Sequence, residues 1–142
     1  CSSDLRATGV EVALYPHHGF WLETAAEALT LCDRLDDPRL GLCFNVCHFL
    51  RCTPDDDLPA LVRKAGARLL AVTVNGADRH GADWSTLIQP LDRGDYDLRP
   101  LLRALEGIDY RGPIGLQAFG IQAPPREHLA RSITAWRALR SK

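Results

Sequence analysis

At 142 residues, 46% hydrophobic and 25% charged, the chain can build one ordinary globular core, with little room for a second, and its composition excludes a disordered polypeptide. A formal charge of −1, with acids and bases interspersed, leaves no electrostatic footprint for nucleic acid or an anionic membrane surface. No apolar run approaches the roughly 20 residues of a membrane span and no stretch reads as a leader, so the expectation is a soluble, cytoplasmic protein.

The chain contains no Met, so its first residue is expected to follow a cleavage or an upstream segment. Cys1 followed by Ser2 and Ser3 is compatible with a lipid-anchored export product. The preferred expectation is that Cys1 to Thr8 forms the tail of a helix stopped by Gly9. Val10, Val12 and Leu14 then fall on one face of a first strand, residues 10–15, ended by Pro16. The loop His17-His18-Gly19-Phe20 leads to Thr24-Ala-Ala-Glu27, the pattern of a capping box, and Ala28, Leu29, Leu31, Cys32 and Leu35 give a helical face. Residues 40–48, Leu-Gly-Leu-Cys-Phe-Asn-Val-Cys-His, predict a strand buried on both faces with Asn45 and His48 at its C-terminal end. Thr53-Pro54-Asp55-Asp56 predicts a helix start: an N-cap, a proline at the first helical position, and acids near the positive helix end. Leu58, Leu61, Val62 and Ala65 carry that helix to Gly66.

Residues 68–75 predict a third buried strand, and residues 76–95 a polar, glycine-punctuated loop of a length that usually serves function. Asp97 is expected to cap a helix whose Leu98, Leu101, Leu102 and Leu105 face inward. Residues 112–120 predict a fourth strand, and Pro125 opens a last helix with Leu129, Ile133, Trp136 and Leu139. The five cysteines, at 1, 32, 43, 47 and 52, are odd in number and fall mostly inside regular elements, which argues against a disulfide framework. Cys43 and Cys47, on one face of the predicted strand, look with His48 and Cys52 like a zinc cluster. The spacing is not that of a Cys-x-x-Cys knuckle, and free Cys is a common small core residue.

Strands alternating with helices, without hairpin turns, demand a parallel sheet with right-handed crossovers. Each strand splits its faces. Val10, Val12 and Leu14 oppose Ala13 and Tyr15; Leu42, Phe44 and Val46 oppose Cys43, Asn45 and Cys47. Leu70, Val72 and Val74 oppose Ala71, Thr73 and Asn75; Ile114, Leu116 and Ala118 oppose Gly115, Gln117 and Phe119. One face is bulky and aliphatic, the other small and polar, as a barrel with outer helices and a constricted interior requires. An eight-unit barrel needs about 250 residues, so four units in one domain, residues 1–142, make half of one. The edge strands, residues 10–15 and 113–119, are expected to pair with a missing N-terminal half or with a second copy.

Five blocks, in order and in register, resemble the xylose isomerase-like TIM barrels, the sugar phosphate isomerases and epimerases. They are Val12-Ala-Leu-Tyr15-Pro-His17, Gly41-Leu-Cys-Phe-Asn45-Val-Cys-His48, the third strand with Asn75-Gly-Ala-Asp78, Pro90-Leu-Asp-Arg-Gly94-Asp-Tyr-Asp97, and Tyr110-Arg-Gly112-Pro-Ile-Gly-Leu-Gln117. The resemblance implies that the chain supplies strands five to eight of such a barrel. It also implies a divalent metal held by Glu, Asp, His and Glu at these strand ends, the two glutamates moving the substrate proton. Those positions fall on Tyr15, Asn45, Thr73 and Gln117, a neutral set without the anionic oxygens that hard cations prefer, so no metal ligands are assigned. His48 matches a histidine that in the family lies near substrate hydroxyls.

The resemblance makes the chain a sugar phosphate isomerase- or epimerase-like protein acting on a carbohydrate. His48 and His17 are the candidates for a proton role; Tyr15, Asn45, Asn75, Gln117, Asp78 and Arg79 are the candidates for substrate hydroxyls or a phosphate. The alternative is a catalytically inactive carbohydrate-binding or scaffold barrel, since amides and Tyr serve hydroxyl recognition while neither Gln nor an ordinary Tyr is a general base near neutral pH. The related abasic-site endonuclease chemistry needs several zinc ligands and a basic groove that the chain lacks.

Overall fold

A computed structural model describes residues 7–141; Cys1 to Arg6, most of the expected N-terminal helix tail, lie outside the described residues, while Ala7 and Thr8 are helical. Strand β1 (Val12–Leu14) is followed by α1 (Ala25–Leu35), β2 (Leu40–Asn45), α2 (Val46–Cys52) and α3 (Leu58–Ala65). A 3-10 turn at Gly66–Arg68 enters β3 (Leu69–Val74), and α4 (Trp84–Leu87), α5 (Arg99–Gly107), β4 (Ile114–Leu116) and α6 (Pro125–Arg140) complete the chain. The sheet order is β1-β2-β3-β4 with every neighbouring pair parallel, so β1 and β4 are its edges. Four β/α units in sequential order are the connectivity expected for half of a barrel.

Face alternation decides what each strand touches. Leu42, Phe44, Val72 and Val74 are buried against Ala28 and Leu29 of α1, Val62 of α3, and Leu101 and Leu105 of α5. Burying each such side chain stabilises the fold by about 1.5 to 3 kcal/mol, so this aliphatic layer between sheet and helices is the main source of stability. On the opposite face Ala13 and Gly115 are exposed and Cys43, Ala71 and Thr73 half-buried, so the interior side of the sheet is the less covered one. Helix α6 stands off from β4: its Leu129 and Ile133 are 48% and 46% exposed. An apolar cavity of about 460 Å³ separates them and Trp136 from Ile114 and Leu116. Among the described residues no helix is long and apolar enough to cross a membrane.

Several boundaries differ from the sequence expectation, each for a local reason. The strand predicted over 40–48 stops at Asn45, because the Asn45 side chain accepts hydrogen bonds from the backbone N–H of Cys47 and His48 and so begins a helix. Val46, Phe49 and Leu50 then serve a helical period that a short apolar run cannot distinguish from a strand. Cys47 and His48 therefore lie in the first turn of α2, and Cys47 does not share a strand face with Cys43. Thr53 closes α2, its backbone N–H donating to Phe49 O, so Asp57 caps the next helix by accepting from Ala60 N. The capping box at Thr24 and Glu27 is present, whereas the N-cap of α5 is Leu98 and not the expected Asp97, which sits one residue earlier and accepts from Arg99 N.

The long loop is bound back onto the sheet. Gly76 and Gln89 exchange backbone hydrogen bonds, and Tyr96 N donates to Ala77 O. Gly94 closes this turn with φ +84°, and a Cβ there would collide with the Ala77 backbone. At Gly120, φ is +75° but the space is open. Gly120→Ala is thus expected to lose about 1 kcal/mol and Gly94→Ala about 3 kcal/mol, measured by urea denaturation. Equal losses would show that the Ala77 contact does not constrain the loop.

Candidate functional site

Tyr15, Asn45, Thr73 and Gln117 stand at the C-terminal ends of the four strands, where βα folds place ligands. Asn45 is in register with Thr73, and Thr73 with Gly115, so neighbouring strand ends are level. Tyr15 and Gln117 come from opposite edges of the sheet and meet over it. Asn45 Nδ2 donates to the Tyr15 hydroxyl at 2.6 Å, and Gln117 Nε2 approaches the same oxygen at 3.4 Å. Thr73 Oγ1 donates to Phe44 O at 3.5 Å.

The orientation of both amides follows from their other bonds. Asn45 Oδ1 accepts from Cys47 N at 2.9 Å, His48 N at 3.3 Å and Cys47 Sγ at 2.9 Å; Gln117 Oε1 accepts from Phe119 N at 3.1 Å. A backbone N–H only donates, so each carbonyl oxygen faces it and each NH₂ faces Tyr15. The Tyr15 oxygen is therefore an acceptor twice over. Burial, with smaller effects of the Cys47 and Cys43 thiols, raises its pKa against the opposing amide hydrogen bonds, so Tyr15 keeps its proton at neutral pH. Burial likewise pushes the Cys47 thiol up to about 12 and raises Cys43.

The two candidate histidines lie beside this cluster. The ring centroids of His17 and His48 are 4.0 Å apart, and the Tyr15 ring meets His48 edge-on at 5.6 Å. His48 Nδ1 is 3.4 Å from the backbone N–H of His18, which makes Nδ1 the bare nitrogen and Nε2 the protonated one in the neutral ring. His17 has the reverse arrangement, because its Nδ1 lies 2.8 Å from His18 O and must donate, leaving Nε2 as acceptor. Burial, and then positive charge on His17 and His18, pull the His48 pKa down to about 4. His48 is thus a neutral donor at physiological pH, and a general base only at its occupied Nδ1.

The remaining candidates are placed elsewhere. Asn75 is fully buried, and its Nδ2 donates to Gly76 O at 2.8 Å and Leu87 O at 2.7 Å. It braces the long loop instead of lining an open rim; its Oδ1 lacks a hydrogen-bond partner among the described residues. Arg79 also ties the loop down, its backbone N–H donating to Asp95 and its guanidinium to Pro54 O. Asp78 N donates to Thr86 O. Neither Asp78 nor Arg79 hydrogen-bonds the Tyr15 cluster. Residues the sequence did not single out are Trp84, whose ring meets His48 edge-on at 5.3 Å, and Phe20, stacked on His17 at 4.2 Å. Trp84 sits on a four-residue helix with no periodic signal; Phe20 adjoins the histidines in sequence and was legible only as a neighbour.

A divalent metal does not fit this donor set. Three of the four strand-end side chains are committed to each other or to backbone through their hydrogens, and no carboxylate joins them. Among the described residues no group of three or more His, Cys, Asp or Glu side chains has metal-holding geometry, and Cys43, Cys47 and Cys52 are free thiols.

Solved structures with the same architecture include D-allulose 3-epimerase from Methylomonas sp., with TM-score 0.65 and 22% identity over 95% of this chain and 44% of that one. A protein of Sinorhizobium meliloti matches with TM-score 0.78 and 24% identity over 94% and 52%, and D-psicose 3-epimerase from Clostridium cellulolyticum with 0.74 and 16% over 98% and 51%. The chain spans about half the length of these proteins. No curated protein matches its sequence. The family model for the xylose isomerase-like TIM barrel matches residues 2–139, and the chain belongs to that family.

Proposed function

We propose that the chain provides the carbohydrate-binding rim of a sugar isomerase- or epimerase-like barrel whose metal ligands have been exchanged for an uncharged hydrogen-bonding cluster. The observation that carries this is the Tyr15 hydroxyl held between the amides of Asn45 and Gln117 at the strand ends. Amide and phenol groups recognise hydroxyls without needing an ion, and the epimerase neighbours, one of them described in complex with D-allulose, make a sugar the natural ligand class. His48 adds a neutral donor, and the exposed Phe20 and Trp84 beside the histidines supply apolar faces of the kind a sugar ring packs against.

Turnover is a second reading, favoured by the tautomers of the two histidines. His17 Nε2 as acceptor and His48 Nε2–H as donor form an acid/base division without a carboxylate. In that reading His17 takes a substrate proton and His48 donates a hydrogen bond to the oxygen that gains charge. Open edges at β1 and β4 and the apolar cavity beside α6 further support a barrel completed by other β/α units, so the chain pairs with an N-terminal half or with a second copy.

Three outcomes are expected. Calorimetric titration with D-allulose shows saturable binding that Asn45→Ala weakens by about tenfold or more, since the substitution frees Tyr15 and uncaps α2. If turnover occurs, His17→Gln lowers kcat by about a hundredfold or more while leaving KM nearly unchanged; absence of any epimerisation in the parent protein leaves the binding reading alone. By nitrogen-15 NMR, His48 stays neutral and protonated at Nε2 down to about pH 5. The unfolded chain takes up that proton near pH 6.5 while the folded one resists it to about pH 4, so stability is full above 6.5 and falls as the pH drops through that window. A His48 titration near 6.5 would contradict the buried, neutral ring.

Sizing tests the association. The 142-residue chain expressed alone is expected to run as a dimer or larger, and a stable monomer would count against the half barrel.

A further inference from the structure

We infer that the cluster of Tyr15, Asn45 and Gln117 is a receptor for an oxyanion carried by the sugar derivative, a carboxylate or a phosphate, at the position where the family's fold would hold a cation. This rests on the carbohydrate reading and narrows it from sugars in general to acidic ones. The argument is a count of hydrogens. Asn45 Oδ1 is used up by Cys47 and His48, and Gln117 Oε1 spends one of its two lone pairs on Phe119 N. The Tyr15 oxygen receives one hydrogen from each amide. What remains on the three side chains is three donors, the Tyr15 O–H and the second N–H of each amide, against one acceptor, the second lone pair of Gln117 Oε1. All three donors belong to groups that meet at one phenolic oxygen. His48 adds its Nε2–H beside them, and the nearby acceptors left over are Thr73 Oγ1 and, in the neutral ring, His17 Nε2.

A site with surplus donors selects its ligand by chemistry. A metal ion would meet hydrogens in place of lone pairs. A hydroxyl would use its oxygen but bring a hydrogen of its own, and acceptors are the scarcer partner here. One lone pair on Gln117 Oε1, with Thr73 Oγ1 and His17 Nε2 beside the cluster, stands against the donors of Tyr15, Asn45, Gln117 and His48. A carboxylate or phosphate oxygen brings only lone pairs, and hydrogen bonds to a charged acceptor are roughly twice as strong as neutral ones. Protonated Tyr15 and Cys47 and neutral His48 add no negative charge that would repel it.

The test is calorimetric titration of the purified protein at pH 7.5 with D-gluconate, sorbitol 6-phosphate, sorbitol and manganese chloride. Binding of at least one anion ten or more times tighter than sorbitol, weakened tenfold or more by both Tyr15→Phe and Gln117→Glu, is the expected result; which anion binds tells carboxylate from phosphate. Gln117→Glu is nearly isosteric, and urea denaturation of both variants confirms that they are folded. Sorbitol binding as tightly as both anions would overturn the oxyanion receptor while leaving the carbohydrate reading intact. Failure of all three organic probes would remove both. Anion binding unmoved by the two substitutions, or manganese binding lost on Tyr15→Phe, would equally overturn it.

Discussion

One side-chain oxygen organises the site. Asn45 Oδ1 accepts the backbone N–H groups of Cys47 and His48, and in doing so it ends β2, starts α2 and fixes the amide so that its NH₂ can only face Tyr15. His48 follows in the first turn of the helix so begun, where its ring meets Tyr15, His17 and Trp84. A cap that contributes about 1 kcal/mol to a short helix thereby sets the orientation of the Asn45 amide and the position of His48. The residue does two jobs because an asparagine side chain has separate accepting and donating ends; an aspartate would cap as well but could not donate to the phenol.

That distinction explains why the cluster is neutral throughout. Tyr15, Asn45 and Gln117 turn lone pairs toward backbone or amide hydrogens, so the groups they leave unspent are mostly donors, while Thr73 gives its hydroxyl hydrogen to Phe44 O. Burial reinforces this by raising the pKa of Tyr15 and Cys47 and lowering that of His48, since each shift favours the uncharged form. A metal-dependent member of such a fold needs the opposite: ionised oxygens turned inward and held apart by their own repulsion until a cation bridges them. The two arrangements differ in whether ionised oxygens or uncharged hydrogen-bonding groups are presented at the strand ends.

The scaffold around the cluster is built from one repeated contrast in side-chain size. Large aliphatic residues on the outer faces of β2 and β3 are sealed by α1, α3 and α5, whereas small or polar residues line the inner face. The long loop after β3 is held by Asn75, Arg79, Gly76 and Gly94, which accounts for why so many polar residues there serve structure and few reach the strand-end cluster. Helix α6 is the least supported element, its Leu129 and Ile133 facing a cavity that the described residues leave unfilled.

Much of this was legible in order of residues alone. Alternation of bulky and small side chains specified parallel β/α units and which face of each strand lies inward, because burial acts on every second residue of a strand. The same pattern put Tyr15, Asn45, Thr73 and Gln117 on the inward faces, the family resemblance singled them out as strand-end positions, and the capping box at Thr24 was spelled out by its own spacing. Only the folded chain decided that Val46 to Cys52 is helical, since a short apolar run satisfies either period until a cap commits it. It alone decided that Asn75, Asp78 and Arg79 tie down a loop and that Trp84 and Phe20 join the histidines. Periodicity is a local property that burial imprints on the sequence, whereas the direction of a hydrogen bond between Tyr15 and Gln117, a hundred residues apart, exists only once the sheet has brought them together.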